Sequence, residues 1–352
     1  MRQHLCLVVL SVFAPAAFAQ APSTLGVMFR TGGQTSGLNP ILYDVNLATG
    51  AATNPRNINV NNTVGIAIDP ESGMLYGLTD QFGRINNQSG QGGKNLVFTI
   101  NPATGAATAV GRVDPTGVFQ VFEGDIAFNP VDGGFWGVTT LINTARLFNI
   151  DKLSGAASLG AVVQPPLSGI DLDISAMAFD ATGQMYLLDT RYPVNPGPAL
   201  LLRVNKDTGE ILQTWNTGVT MGTVAGMTFA NGLLYITDGD TGGTNRLYRF
   251  DLSAGEIINI GATNAAGGIY QGLAGLTHGC VGGPCATLSC DDIDFNNNDV
   301  FPEDQDVIDF FNVLAGGDCT ACNDIDFNNN GVFPEDQDVI DFFNVLAGGQ
   351  CP

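Results

Sequence analysis

Asp294, Asn296 and Asn298 set three side-chain oxygens at alternate positions, Val300 follows with its backbone carbonyl, and Asp306 adds a carboxylate further on. A loop that presents alternating oxygens and a closing acid suits a hard cation such as calcium, which takes about 6–8 oxygen ligands. Asp326, Asn328, Asn330, Val332 and Asp338 repeat the set, so two calcium sites are expected. Residues 292–317 and 324–349 are identical except that Asp299 becomes Gly331. That position asks for left-handed backbone, which glycine adopts freely and aspartate at some cost. Gln305 and Gln337 stand twelfth, where a closing acid is usual, and the acid comes one residue later, which reads as an insertion. Glu303 or Asp304, and Glu335 or Asp336, are available to complete each shell. Asparagine at the fifth position lowers the formal charge, so affinity in the micromolar range or weaker is expected.

Little else in the chain nominates chemistry. His4 lies in the leader segment described below, which leaves His278 as the one imidazole beyond it and excludes multi-histidine metal sites. His278 is expected to pack or to face a channel. Asp80, Asp189 and Asp238 end strands in separate repeats, which leaves a carboxylate acid/base pair open without fixing its spacing. No Gly-x-Ser-x-Gly elbow, phosphate loop or dinucleotide fingerprint is present.

The elements that must hold the loops follow them directly. Pro302-Glu303-Asp304 and Pro334-Glu335-Asp336 put proline and acids at the start of a short helix, which suits its dipole, and Gly316 and Gly348 stop it. Phe310, Phe311, Phe342 and Phe343 exceed what one narrow core stripe requires. They either face a partner or bury between the two repeats.

Composition divides the chain in the same place. From residue 290 onward there are 15 Asp and Glu and no Lys or Arg, out of a net charge of −21, so cations are favoured partners and nucleic acid is not one. Cys280, Cys285, Cys290, Cys319, Cys322 and Cys351 all fall in this last part, as in a small disulfide-supported domain. Bridges Cys290–Cys319 and Cys322–Cys351 would bracket the repeats and leave Cys280 for Cys285, among the 15 connectivities that six cysteines allow. Residues 1–19 carry Arg2, an apolar run at 5–12 and an Ala17-Phe18-Ala19 end, the pattern of a secretory signal peptide. No other segment is a transmembrane candidate, and a secreted or cell-surface location is expected.

Residues 20–279 carry a weaker repeat. Asn46-Leu-Ala-Thr-Gly50 recurs as Asn101-Pro-Ala-Thr-Gly105, Asp151-Lys-Leu-Ser-Gly155, Asn205-Lys-Asp-Thr-Gly209 and Asp251-Leu-Ser-Ala-Gly255, at 46 to 55 residues. An alternating strand precedes each turn and a short strand follows it; a small apolar strand and an aromatic strand complete the unit. Four strands at this period define a propeller blade. The first unit lacks its innermost strand and the last supplies a lone one near Leu276, so the expected fold is mainly β, a five-bladed propeller closed by its terminal strands. A linker at 280–289 and an α domain of two calcium loop-helix repeats at 290–352 follow it. The long connections 80–95, 112–124 and 191–199 share one side of the ring, where binding usually resides. Arg30, Asp80, Arg84, Arg191, Tyr192, Asp238 and Asp240 are the ligand candidates there.

Residues 285–352, with paired loop-helix units flanked by cysteines and a Gly-x-Cys-Pro end, resemble a type I dockerin of the cysteine-flanked planctomycete kind. The resemblance implies calcium-dependent docking to a cohesin-like receptor through the helix faces and the residues before the closing acid. By position these are Glu303, Asp304, Glu335 and Asp336. Near-identity of the repeats implies two docking orientations. The propeller resembles the YncE or quinoprotein-like kind in blade pattern alone. The expected function is a binding or scaffold protein that recognises an extracellular ligand, with a glycan as the candidate, and is anchored by the calcium module. The alternatives are a dockerin-borne enzyme acting on polysaccharide and a purely structural or sorting tag.

Overall fold

The computed structural model describes residues 22–28, 40–83, 95–114, 120–141, 144–165, 172–190, 197–222, 224–239, 245–265, 273–281, 290–298, 300, 303–328 and 336–348. The chain forms two compact units, Pro22–Cys285 and one that contains Ala286–Pro352.

The first unit is a propeller of five four-stranded antiparallel sheets. β1 (Ser23–Met28), β2 (Ile41–Val45) and β3 (Ala52–Asn57) belong to the closing blade. Blade 1 holds β4 (Thr63–Ile68), β5 (Leu75–Thr79), β6 (Leu96–Ile100) and β7 (Ala107–Arg112). Blade 2 holds β8 (Glu123–Phe128), β9 (Phe135–Leu141), β10 (Thr144–Ile150) and β11 (Ala157–Val162). Blade 3 holds β12 (Ile174–Phe179), β13 (Met185–Asp189), β14 (Leu200–Val204) and β15 (Ile211–Asn216). Blade 4 holds β16 (Val224–Ala230), β17 (Leu233–Gly239), β18 (Arg246–Asp251) and β19 (Glu256–Ala262). β20 (Gly275–Gly279) then pairs antiparallel with β1, from Ser23 opposite Gly279 to Val27 opposite Gly275, and supplies the innermost strand of the closing blade. Neighbouring innermost strands adjoin all the way round, β20 meeting β4. Five blades with terminal closure are what the repeat predicts.

The recurring Asn/Asp-x-x-x-Gly turn has two physical causes. Its first side chain caps the turn: Asn46 Oδ1 accepts from the Ala48 and Thr49 amides at 2.9 and 3.0 Å, and Asp151 Oδ1 from Leu153 and Ser154 at 3.0 and 2.7 Å. The glycine amide then donates back to that first residue's carbonyl, at 2.8 Å for Gly155 to Asp151. Gly155 has φ +73°, and it also abuts the preceding blade, where a Cβ would lie 2.9 Å from the Gly111 backbone. Gly209 likewise meets the Val162 carbonyl, so the turn sets the spacing between blades as well as reversing the chain.

Between blades the core is apolar and aromatic. Phe98 and Phe148 are fully buried over Gly77 and Gly137, their cross-strand partners. Side chains at either glycine would collide with those rings. Polar straps join the innermost strands: Met177 N donates to Asp125 Oδ2 at 3.0 Å, and Ile68 N to Thr277 Oγ1 at 3.0 Å. Burial pushes the Asp125 carboxyl well above its usual range, despite the Met177 and Ile126 amides that bind it.

The second unit contains α1 (Asp304–Leu314) and α2 (Asp336–Leu346). Phe295, Phe310, Phe327 and Phe342 are fully buried and form its centre. Phe295 meets Phe310 at 5.2 Å and Phe327 meets Phe342 at 5.2 Å, both edge-on. Asp291 N donates to Phe327 O and Asn323 N to Phe295 O, at 2.8 and 2.9 Å, so each repeat grips the other through equivalent atoms. Gly316 and Gly348, both with φ +86°, end the helices as expected. The two readings open for the aromatics divide here: Phe310 and Phe342 are core residues and not partner contacts, because the repeats are too small to build a centre without them. One expectation is corrected. Cys319 is bonded to Cys322, with Cα atoms 5.4 Å apart, which excludes the expected Cys290–Cys319 and Cys322–Cys351 bridges. Cys280 and Cys290 are each disulfide-bonded as well. Cys285 and Cys351 lie outside the described residues.

Candidate functional site

In the first loop, acidic and amide oxygens converge. Asp294 and Asp306 are buried, 5% and 0% exposed. Asp294 Oδ1 accepts from Asn298 N at 3.0 Å, and Asn296 Oδ1 accepts from the same amide at 3.2 Å. Asp306 reaches back from the helix, accepting from Asn296 N and Glu303 N, each at 3.4 Å. Asn298 Oδ1 accepts from Val300 N at 2.8 Å, while its amide group donates to Glu303 Oε1 at 2.7 Å. Glu303, expected to face a partner, is thereby tied into the loop. In the second loop Asp326, Asn328 and Asp338 are buried in the equivalent places; Asn330, Val332 and Glu335 lie outside the described residues. Among the described residues no three of His, Cys, Asp and Glu cluster as a metal site, so a loop cation would rely on two carboxylates with amide and carbonyl oxygens. Buried carboxylates in an all-oxygen set fit a hard cation.

Each helix keeps an apolar stripe in solvent. Ile308 and Ile340 are each 57% exposed, Phe311 43% and Phe343 40%. The Phe311 and Phe343 rings lie 6.0 Å apart and merge the two stripes into one patch. Asp304 and Asp336, exposed one turn before the isoleucines, flank it with negative charge. Ile308 and Ile340 escaped sequence reading because helix phase, which places residues four apart on one face, is settled only once the core phenylalanines are known.

On the propeller's long-loop side, Asp80 and Asp238 are buried rather than displayed, and so is Asp189. Asp80 Oδ2 accepts from Asn62 Nδ2 at 2.8 Å and its Oδ1 from Phe82 N at 2.6 Å. Burial nevertheless pushes it up to about 6, with the nearby Glu123 contributing. Asp238 Oδ1 accepts from Gly222 N at 3.0 Å. Arg30, Arg84, Arg191, Tyr192 and Asp240 lie outside the described residues. The acids that do meet are Glu123, first in β8, and Asp173, just before β12, joined by a side-chain hydrogen bond between adjacent blades. Asp173 N also donates to Asp189 Oδ1 at 3.0 Å. Burial, then Glu123 and Asp189, push Asp173 up to about 8, so the pair holds a proton at neutral pH. Phe82, whose amide binds Asp80, and Phe122, next to Glu123 in the chain, stand 58% and 39% exposed. Sequence reading missed Glu123 and Asp173; the signal was an acid at the head of an innermost strand where other blades place Thr63, Ile174 or Val224.

At the opposite mouth, on the side of the tight turns, Ile68, Phe128, Phe179, Phe229 and His278 line a funnel of about 420 Å³. His278 Nδ1 is 2.8 Å from Thr24 Oγ1, and burial lowers its pKa to about 4, so the ring is neutral.

Fold and sites together define a five-bladed propeller joined to a small duplicated acidic unit. Residues 125–283 match the model of a family described as a repeat of unknown function, DUF6923. No curated protein matches the chain. Similar solved structures include a protein of unknown function from Bacteroides caccae, 15% identical over 73% of this chain and 99% of that one, with a TM-score of 0.41. RS223 β-xylosidase is 17% identical over 56% of this chain and 77% of that one, with a TM-score of 0.38. An exo-β-1,3-galactanase from Clostridium thermocellum is 12% identical over 66% and 52%, with a TM-score of 0.41. Likenesses at this level carry no argument about what this chain binds or does. Among the described residues no helix is long and apolar enough to cross a membrane.

Proposed function

We propose that this is an exported adaptor: its acidic unit docks in a calcium-dependent way onto a cohesin-like protein receptor, and its propeller offers the long-loop face to an extracellular glycan. The observation that carries the docking reading is the duplicated arrangement in which buried Asp294 with Asp306, and Asp326 with Asp338, back a continuous exposed patch of Ile308, Phe311, Ile340 and Phe343. An ion in each loop would neutralise the buried acids and fix the helix that carries half of the patch. The glycan reading is supported by Phe82 and Phe122, flat apolar surfaces next to hydrogen-bonding carboxyls. The export reading is supported by the signal-peptide pattern of residues 1–19.

The test is calorimetric calcium titration of the whole chain, with receptor capture from an envelope extract in calcium and in chelator. Two sites are expected, Asp306→Ala and Asp338→Ala each removing one, with capture of a protein only in calcium. No binding at millimolar calcium would leave the unit a disulfide-held structural or sorting tag.

The Glu123–Asp173 pair favours a second reading, an enzyme acting on polysaccharide. A proton held near neutrality is what a general acid needs. Hydrogen-bonded carboxyls stand closer than the roughly 5–9.5 Å that separates the two acids of a glycosidase, so the partner acid would be another, with Asp80 the candidate. Release of reducing sugar by the wild type and not by Asp173→Asn would establish this reading.

A further inference from the structure

We propose that Asp309 and Asp341 are the positioning residues of the two cation loops, each turning an asparagine amide so that its oxygen faces the ion and strengthening that oxygen as a donor. The inference rests on the calcium reading above. Asn296 Nδ2 donates to Asp309 Oδ2 at 3.1 Å, and Asn328 Nδ2 donates to Asp341 Oδ2 at 2.9 Å. The other oxygen of each aspartate is held by a glutamine one helical turn earlier, Gln305 Nε2 at 2.9 Å and Gln337 Nε2 at 2.7 Å. The same three-residue clamp is thus built twice, from Gln305, Asp309 and Asn296 and from Gln337, Asp341 and Asn328.

An amide carries its donor and acceptor on opposite branches, so fixing Nδ2 on the helix leaves Oδ1 to the loop. Asn296 shows this orientation, its Oδ1 accepting from Asn298 N at 3.2 Å inside the loop. A hydrogen bond to a carboxylate draws charge onto the amide oxygen, and the carboxylate adds its own field at the ion. This offsets the asparagines that stand in the loop where acids could. It also accounts for the glutamine in the twelfth position: its side chain clamps the aspartate instead of facing the ion.

The experiment is calcium titration of the whole chain by calorimetry, comparing wild type with Asp309→Asn and Asp341→Asn, together with melting of each in chelator. Each variant is expected to weaken one site by roughly tenfold or more, leave the other unchanged, and melt with the wild type when calcium is absent. Gln305→Met, which keeps the Asp309 charge but releases its second oxygen, should weaken the same site less, and decides the matter if Asp309→Asn fails to fold. Two wild-type sites whose affinities survive all these changes would overturn the positioning role and leave the calcium reading standing. A wild type that binds no calcium would overturn both.

Discussion

Phe310 lies flat against Phe342, ring centroids 4.3 Å apart and planes 8° apart, and this stack is where the two repeats become one body. Each ring is fully buried, and each is also met edge-on by the Phe295 or Phe327 of its own repeat. Phe310→Ala or Phe342→Ala should therefore cost the acidic unit about 3–5 kcal/mol, the usual range for emptying a packed aromatic site. Denaturant titration followed separately for each unit should show the acidic unit lost early and the propeller transition unmoved.

Gly111 and Gly155 touch across the gap between blades 1 and 2. A methyl group on Gly111 would collide with the Ser154 carbonyl, whereas one on Gly218 meets nothing and suffers only from φ +73°. Gly111→Ala should cost about 2–3 kcal/mol by overpacking and Gly218→Ala about 1–2 kcal/mol from backbone conformation alone. Equal melting temperatures for the two variants would remove the claim that the turn repeat sets blade spacing.

Asp173 links stability to pH. Its carboxyl, pushed up to about 8 when folded against 3.8 ordinarily, keeps its proton across a range where the unfolded chain has lost one. Stability from this group is full below about pH 4 and declines as pH rises towards 8. Asp173→Asn should flatten that decline, raising the melting temperature at pH 8 by on the order of 5 °C and leaving it unchanged at pH 4.

His278 acts in the other direction. Its folded value of about 4 lies below the ordinary 6.5, so the unfolded chain binds the proton first and stability is lost as pH falls through this interval. Elsewhere in the ring the aligned cross-strand pair is apolar, as with Phe128 and Phe135; only here is it His278 with Thr24. His278→Phe should be less stable than wild type near pH 7.5, because the Thr24 hydroxyl loses its partner, by about 1 kcal/mol. Below pH 5 it should be the more stable of the two, and melting curves across this range should cross.

Most of the propeller was legible in the sequence, because its strands are short, regularly spaced and punctuated by one turn whose side-chain cap is local. The capping acid or amide and the glycine four residues on announce themselves without tertiary information. The candidate sites were legible in proportion to how local they are. The loop oxygens Asp294, Asn296, Asn298 and Asp306 are close in sequence, and their spacing is the signal. Glu123 and Asp173 meet across a blade boundary, and an acid at the head of one innermost strand does not by itself name its partner. Asp80 and Asp238 were read as displayed because they end strands beside long connections, yet strand ends in a closed ring are deep enough to bury them. The helix faces failed for a related reason: an apolar run of Val, Ile, Phe, Phe and Leu covers every side of the helix, and only the four-phenylalanine centre decides which side turns inward.

Thr24 and His278, joined side by side in the closing blade, are 254 positions apart. When the chain emerges amino end first, β1 finds β2 at once but must wait for its other neighbour until every other blade has been made. The last step of assembly is therefore the slowest kind of contact to form, and until it does two unpaired strand edges stay exposed to other chains. A chain halted before Gly275 would be an open array with sticky ends, which makes β20 the strand that decides whether this protein ripens or aggregates.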